Sequence, residues 1–584
     1  MTSTPWRRPL FGVALVAASL GCPATAPPQG PRSILAQPSA GARAQADRVT
    51  IGDETREALL ATQAWTLDFP RQAILTFGVG SRFDGAGEAP GWGRFVVAID
   101  GREVAKETVN PRTTHDWKDV TVDLDRAPRR GVLSITIRFT DKDGNDLPQP
   151  RDLRLAVSDP ILHDRAGYGL KRGVILISID TLRRDHVGAY GYPKPTTPTL
   201  DGLARGGVVA DDAVSVSSWT LPAHLSMLTS TLPGTHGGTD MKQAFNRSVP
   251  SVAEILQAQG VATHAVTSHL YVSKTYGLDA GFDSMNFRQD RLAENVANHA
   301  MDLIDRFGDR PFFLFLHFYD PHWHYAPPAD VLKIFESSYT GTLTGNLKDF
   351  QNLRPDQIKP KDLDHLLALY DGEIRYTDNE IGRLISHLEE RDVLRNTLMV
   401  VTSDHGEEFL DHGSWEHQKT LYEEVIRVPL VVSGPGLAAR REALPVSLLD
   451  VAPTILEFLQ VPPPAAMKGV SLLRKVGETR QMYGETDHTT DGARLSFLRG
   501  GATSWKAILR SDPAKRDERS SEWYDLATDP AERNSRPPAE ALRASIEARA
   551  RDLALRSRSS ASAKAVELSP EQKEKLRALG YVGR

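Results

Sequence analysis

Residues 396–406 read NTLMVVTSDHG, an apolar, β-branched run that ends abruptly in a carboxylate and an imidazole. A short run of this kind, apolar at consecutive positions and closed by turn formers, predicts a strand buried on both faces. GVILISID at 173–180, VATHAVTS at 261–268 and PFFLFLHFYD at 311–320 follow the same pattern. Amphipathic helical stretches lie between them, such as SVAEILQAQ at 251–259 and DNEIGRLISHLEERD at 378–392. Buried strands alternating with amphipathic helices predict an α/β domain over 171–476, with helices on both faces of a mostly parallel sheet. Ligands of such sheets gather beyond the carboxyl ends of the strands. The sequence places Asp180, Ser268, His317 to Asp320, and Asp404 with His405 there.

Upstream, 48–164 holds short β-rich segments between Gly, Asp and Pro turns: AILTFGVG, GRFVVAID, DVTVDL, GVLSITIRF and LRLAVSDPIL. They predict a β-sandwich, serving as a glycan-binding module or a structural spacer. Downstream, 477–584 predicts a small α+β subdomain with SWKAILR and SEWYDLATDP as strands. Its last helix has Ser569 to cap it, Pro570 to start it and Gly580 to stop it.

Residues 1–22 have the form of a secretory signal: Arg7 and Arg8, then an apolar run from Pro9 to Gly21 too short to span a bilayer. The run ends Ala18-Ser19-Leu20-Gly21-Cys22, which resembles a bacterial lipobox with Cys22 as the acylated residue; cleavage near Ala24 to Ala26 is the alternative. From 23 to 47 the chain is rich in Pro, Ala, Gln and Gly and predicts a disordered linker. These features predict export to the periplasm or cell surface, with the membrane reached by a lipid anchor only.

Composition narrows the function classes. The chain has 584 residues, 40% hydrophobic and 25% charged, with a formal charge of −5. That is ordinary globular usage, and the balance is too even to form the basic footprint of a nucleic-acid binder. With one cysteine, Cys22, the chain can form neither an intramolecular disulfide nor a thiolate-rich metal site.

Asp180, Asp404 and His405 stand at two predicted strand ends. Thr220, in SSWTLPAHLSMLTS, lies in the polar turn before Pro222 that leads into a helical run beginning near Ala223, so its hydroxyl sits at a helix N-terminus where an anion is favoured. Two carboxylates, an imidazole and a hydroxyl suit a divalent metal such as Ca, Mn, Mg or Zn.

In order along the chain, SIDTLRRDHVGAYGY, WTLPAHLSMLTS with LPGTHG, FLHFYDPHWHYAPP, YDGEIRYTDNEIGRLI, TSDHGEEFLDHGSWEHQKTLYEEVIRVPL, SLLDVAPTILEFL and EWYDLATDPAERN resemble the sulfatase family of the alkaline phosphatase superfamily. The resemblance spans about Lys171 to Asn534. It implies an alkaline-phosphatase-like α/β sandwich and metal-dependent hydrolysis of an anionic ester, either a small molecule or one borne on a glycan or lipid. It also implies Asp180, Asp404 and His405 as metal ligands, and Thr220 as the nucleophile, which touches the metal. His322 matches the histidine near the leaving group and His417 one that faces the ester oxyanions. Lys419 lies one place from a lysine of arylsulfatases, and His269 stands near their anion-binding residues. Asp320 and His324, four apart as in two-zinc phosphodiesterases, would join His417 in a second metal site; the plainer alternative makes Asp320 and His324 hydrogen-bonded core groups.

The departures bear on the substrate. Sulfatases of this family convert a cysteine or serine to formylglycine, whose hydrate has a second hydroxyl to expel sulfate by C–O cleavage. Here Thr220 occupies that place, His224 replaces the usual arginine that would contact substrate, and Thr181 replaces a second aspartate. Threonine has one oxygen, so its ester must be released by attack at the central atom, which suits phosphorus. The expectation is a phosphate or phosphonate ester hydrolase. The alternatives are a true sulfatase, a phosphotransferase to a glycan or lipid, and a non-catalytic glycan-binding surface protein. Glu407 and Glu408 are expected as helix-starting charges, and His365 and His387 as surface residues.

Overall fold

The computed structural model describes residues 32–33, 47–558 and 564–578, apart from 52–53, 71–72, 85–90, 113–116, 125, 165–171, 308–310, 337, 347–348, 350–353, 355–356, 478, 488–492, 502 and 512–519. The signal segment, Cys22 and Gly580 lie outside the described residues.

The central sheet has eight strands. They are β1 (Gly173–Ile179), β2 (Val208–Ala210), β3 (Ala262–Thr267), β4 (Ser284–Phe287), β5 (Phe312–Phe318), β6 (Thr397–Thr402), β7 (Leu430–Ser433) and β8 (Arg440–Glu442). Their order across the sheet is β4-β3-β5-β1-β6-β7-β2-β8. All pairs are parallel except those β7 makes with β6 and β2, so β7 alone runs against the rest.

Alternation along the strands divides the core in two. Val174 and Leu176 of β1, Phe313 and Phe315 of β5, and Leu398 and Val400 of β6 face one layer. The intervening Ile175, Ile177, Leu314, Leu316, Met399 and Val401 face the other. Helices α1 (Pro198–Gly206), α2 (Thr220–Thr229), α3 (Val252–Ala258), α4 (Ala293–Phe307), α5 (Pro360–Glu390) and α6 (Val451–Phe458) cover both faces. The first layer receives α2, α3 and α6, and the second receives α1, α4 and α5. Because both faces are covered, these strands must be apolar at consecutive positions, as the sequence has them.

Residues 47–164 form two antiparallel sheets, one of four strands and one extended to six by Arg32–Ser33, around a core that includes Trp65, Phe77, Phe95 and Leu155. Arg32 and Ser33 pair with Leu162 and Ile161, where a sheet edge offers unpaired backbone groups.

At the other end, four antiparallel strands from Gln481 to Asp525 make a small sheet. One face packs on Leu421 and Ile426 of the central domain, and the other takes Ile546 and Ala550 of the helix Glu540–Arg558. The final helix, Pro570–Ala578, opens on a capping box. Gln572 N–H donates to Ser569 Oγ at 3.1 Å, and Ser569 N–H donates to Gln572 Oε1 at 2.8 Å. Among the described residues, no helix is long and apolar enough to cross a membrane.

Candidate active site

Three chain turns at the carboxyl edge of the sheet converge. Asp180 leaves β1, Asp404 and His405 leave β6, and Thr220 is the first residue of α2, after Trp219 in extended backbone. All four are fully buried. The ligand atoms of Asp180, Asp404 and His405 lie within 4.8 Å of one another. His405 Nε2 stands 3.2 Å from Asp404 Oδ2, 3.6 Å from Asp180 Oδ1 and 3.4 Å from Thr220 Oγ1.

The backbone around these groups is tightly fixed. Thr181 has φ +55°, in the left-handed region that a β-branched residue seldom enters. Tyr370 of α5 holds that turn: its hydroxyl donates to the Thr181 carbonyl at 2.7 Å and accepts the Arg183 N–H at 2.9 Å. After His405, a Cβ on Gly406 would lie 2.0 Å from the Glu424 carbonyl oxygen, so only glycine fits. His405 Nδ1–H donates to the Gly406 carbonyl at 3.0 Å, which holds the ring with Nε2 facing inward.

Both oxygens of Asp180 and Oδ2 of Asp404 are buried without a hydrogen-bond donor. Burial and the neighbouring Asp404 charge push Asp180 up to about 6. Burial would raise Asp404 as well, but His405 and His224 hold it below the ordinary carboxylate range. Burial opposes charge on His405, yet Asp404 and Asp180 push it up to about 9. Two buried carboxylates that share one imidazole and leave three oxygens without donors are a donor set that fits a divalent metal.

A layer of imidazoles lies against this centre. The ring of His417 is 4.3 Å from that of His405 and 5.0 Å from that of His322; His269 lies 6.3 Å from His322. His322 Nδ1–H donates to the Trp323 carbonyl at 2.8 Å. Burial pushes His322 down to about 4, and burial together with His405 pushes His417 well below the ordinary value. His269 stacks on Tyr319.

Other expectations are corrected. Glu407 is no helix-starting charge: it is buried at the back of the site, where its Oε1 accepts His417 Nδ1–H at 3.1 Å. His224 is enclosed in the protein. Its Nδ1–H donates to the Thr220 carbonyl at 2.8 Å and its Nε2 accepts from Ser178 Oγ at 2.9 Å, so both nitrogens are engaged within the fold. Lys419 Nζ pairs with Glu416 at 2.7 Å, on the loop that carries His417. His365 is buried, stacked on Tyr339 and bonded to Glu336 at 2.6 Å.

The second-metal grouping does not form. Asp320 accepts the Ala293 N–H at the start of α4 and faces Glu380 and Glu373, and His324 is exposed and faces Asp290. The chain turns at Asp320 and does not continue as a helix, so a spacing of four does not put the two side chains on one face. Among the described residues, no grouping of Asp320, His324 and His417 within metal-ligand distance occurs.

His317 is a residue near the site to which the sequence assigns no role. It sits inside the apolar run of β5, and its Nε2 is 3.3 Å from Asp180 Oδ2.

The chain is similar to an arylsulfatase of Clostridium perfringens, 24% identical over 439 residues that make up 62% of this chain and 89% of the relative. An N-acetylglucosamine-6-O-sulfatase of Bacteroides thetaiotaomicron is 24% identical over 389 residues, 51% of this chain and 70% of the relative. Among solved structures, a phosphonate monoester hydrolase of Agrobacterium radiobacter shares the fold with TM-score 0.55 and 18% identity, covering 66% of this chain and 96% of the other. The family model described as Sulfatase matches residues 172–461, and this chain belongs to the sulfatase/alkaline phosphatase superfamily, as an ester hydrolase.

Proposed function

We propose that this hydrolase cleaves phosphate or phosphonate esters through a covalent threonine intermediate at Thr220. The observation that carries the reading is the residue itself. Where its relatives mature a cysteine or serine, this chain has a saturated alcohol with a single oxygen, and its one cysteine, Cys22, lies far outside the domain. Its relatives include sulfatases and, by fold, a phosphonate monoester hydrolase, so the family accommodates both centres.

Asp180, Asp404, His405 and Thr220 Oγ1 would hold a divalent metal, which supplies positive charge that lowers the hydroxyl pKa and screens the ester's oxygens. Thr220, with its proton lost to solvent, attacks phosphorus from the N-terminus of α2, whose free N–H groups and dipole favour the anion. His322 has Nδ1 tied to the Trp323 carbonyl, so Nε2 is its working atom. It is neutral when the site is empty; an anionic ester beside it raises its proton affinity, and Nε2–H then protonates the leaving oxygen. His417, oriented by Glu407, presents Nε2 toward the ester oxygens. Water then attacks the phosphothreonine at phosphorus and restores the hydroxyl.

Thr220→Ala tests the assignment: turnover is lost while the far-UV spectrum and melting transition stay unchanged, and in the unaltered enzyme rapid acid quench followed by mass spectrometry finds phosphate on the peptide that carries Thr220. An active Thr220→Ala enzyme contradicts it. We propose further that the protein works outside the cytoplasm, tethered by lipid at Cys22. The sequence of residues 7–22 supports this, and metabolic labelling with a fatty-acid probe, lost in Cys22→Ala, tests it.

A further inference from the structure

Arg183 follows Asp180 closely in the chain and is buried, with 6% of its surface exposed. All five of its guanidinium hydrogens have an acceptor. Nε–H and one Nη2–H donate to the two oxygens of Asp185 at 2.9 and 2.8 Å. The other Nη2–H and one Nη1–H donate to the two oxygens of Asp411 at 3.2 and 2.8 Å. The remaining Nη1–H donates to the Glu407 carbonyl at 3.1 Å. Burial opposes charge on all three side chains, yet their mutual attraction outweighs it: Arg183 is raised well above its usual value, and Asp185 and Asp411 are held below theirs.

These bonds cross between two turns. The register of β1 with β6 stops at Ser178 and Thr402, so Asp180 on one turn, and Asp404 with His405 on the other, lie past the paired part of the two strands. Arg183 spans the turns there. Its backbone belongs to the first, where its N–H donates to the Tyr370 hydroxyl at 2.9 Å. Its side chain lies along the second: a Cβ on Gly406 would stand 3.3 Å from its Cγ, and its guanidinium ends on the Glu407 carbonyl and Asp411. The Phe409 N–H fixes Asp411 in turn, donating to Oδ2 at 2.9 Å. A guanidinium buried between carboxylates adds little net stability, but its planar fork fixes distance and angle together. We propose that Arg183 is a positioning residue that sets the gap between Asp180 and the Asp404–His405 pair, and with it the affinity for the metal. The proposal rests on the reading that Asp180, Asp404 and His405 hold the metal.

The test is metal affinity of the chelator-stripped full-length protein, titrated separately with Zn2+, Mn2+ and Ca2+ against a competing chromophoric chelator, beside thermal melting of each metal-free variant. Arg183→Lys keeps the cation and loses the fork. It is expected to lose roughly 10- to 100-fold in affinity for whichever ion the unaltered protein binds most tightly. Asp411→Asn keeps one acceptor oxygen for the guanidinium and should lose a smaller part of that; it takes over the test where Arg183→Lys does not fold. Leu388→Ala separates positioning from stability. Leu388 is fully buried in the same helix as Tyr370, roughly 27 Å away along its axis, so the variant should melt lower than the unaltered protein and keep its affinity within about twofold. Unchanged affinity in a folded Arg183→Lys or Asp411→Asn overturns the proposal, as does a loss in Leu388→Ala equal to theirs. Undiminished metal binding in Asp404→Asn overturns the underlying site as well, which separates the two failures.

Discussion

Ser218 and Gln418 hold each other at both ends. Gln418 N–H donates to the Ser218 carbonyl at 2.8 Å, and Ser218 Oγ donates to the Gln418 carbonyl at 2.8 Å. This pair ties the loop of His417 to the turn that presents Thr220, two segments separated by about 200 residues in the chain. Glu416 and Gln418 both lie in the left-handed region, at φ 69° and 80°, so the loop keeps its shape only while such bonds hold it. Ser218→Ala should therefore act on turnover more than on stability. Thr486 Oγ1 still donates to the Gln418 carbonyl at 3.1 Å, which limits the stability loss to about 1 kcal/mol. Displacement of His417 should lower kcat roughly 10- to 100-fold with little change in KM. Steady-state kinetics beside a denaturant titration separates the two effects.

Glu407 orients His417 and does not touch substrate. Burial, with Glu416 nearby, pushes its carboxyl well above the usual range, and what His417 requires of it is a hydrogen-bond acceptor, which an amide oxygen can also supply. Glu407→Gln should retain most of the activity, whereas Glu407→Ala frees the ring and should lower kcat by about a hundredfold. Equal losses in the two variants would show that the negative charge, and not the acceptor, is what matters.

Lys506 is fully buried between the small C-terminal sheet and the central domain, with Nζ 2.8 Å from Glu532 and 3.0 Å from Glu423. Arg499 extends the network to Glu423 and Asp212. Lys506→Met leaves buried carboxylates short of a cation and should cost about 3–5 kcal/mol. Adding Glu532→Gln should return part of the loss, and chemical denaturation of both variants checks this.

His412 donates from both ring nitrogens, from Nδ1 to Glu424 at 2.6 Å and from Nε2 to the Glu532 carbonyl at 3.1 Å. That is an imidazolium. Partial burial opposes the charge, but Glu424 outweighs it and raises the pKa. Because the folded value lies above the unfolded one, the stabilisation is full below about 6.5 and is lost as pH rises through the folded value. Melting curves of the unaltered protein and His412→Gln should differ most at pH 5–6 and converge toward pH 9; a gap that widens with pH contradicts the assignment.

The central sheet was legible because a strand covered on both faces must be apolar at consecutive positions, as β1, β5 and β6 are. Asp180, Asp404 and His405 were legible because each follows such a run directly. Thr220 was marked by the polar turn before Pro222, although the helix starts at Thr220 itself and not near Ala223. His317 was placed at the sheet edge by its strand but given no role, because only the register with β1 brings it against Asp180. Glu407 and Ser218 escaped for another reason: their roles depend on loops that meet across long separations, and local spacing has no information about those. Asp320 and His324 misled because a spacing of four implies a shared face only in a helix, and the chain turns there.

What a threonine nucleophile can release decides which ester this enzyme cleaves. The most direct measurement is kcat/KM for matched aryl sulfate, aryl phosphate, bis-aryl phosphate and aryl phosphonate, each with Zn2+, Mn2+ and Ca2+. A phosphorus ester should be favoured over the sulfate by about a hundredfold or more, the margin of a pathway closed to a one-oxygen nucleophile. A clear preference for the sulfate would contradict it.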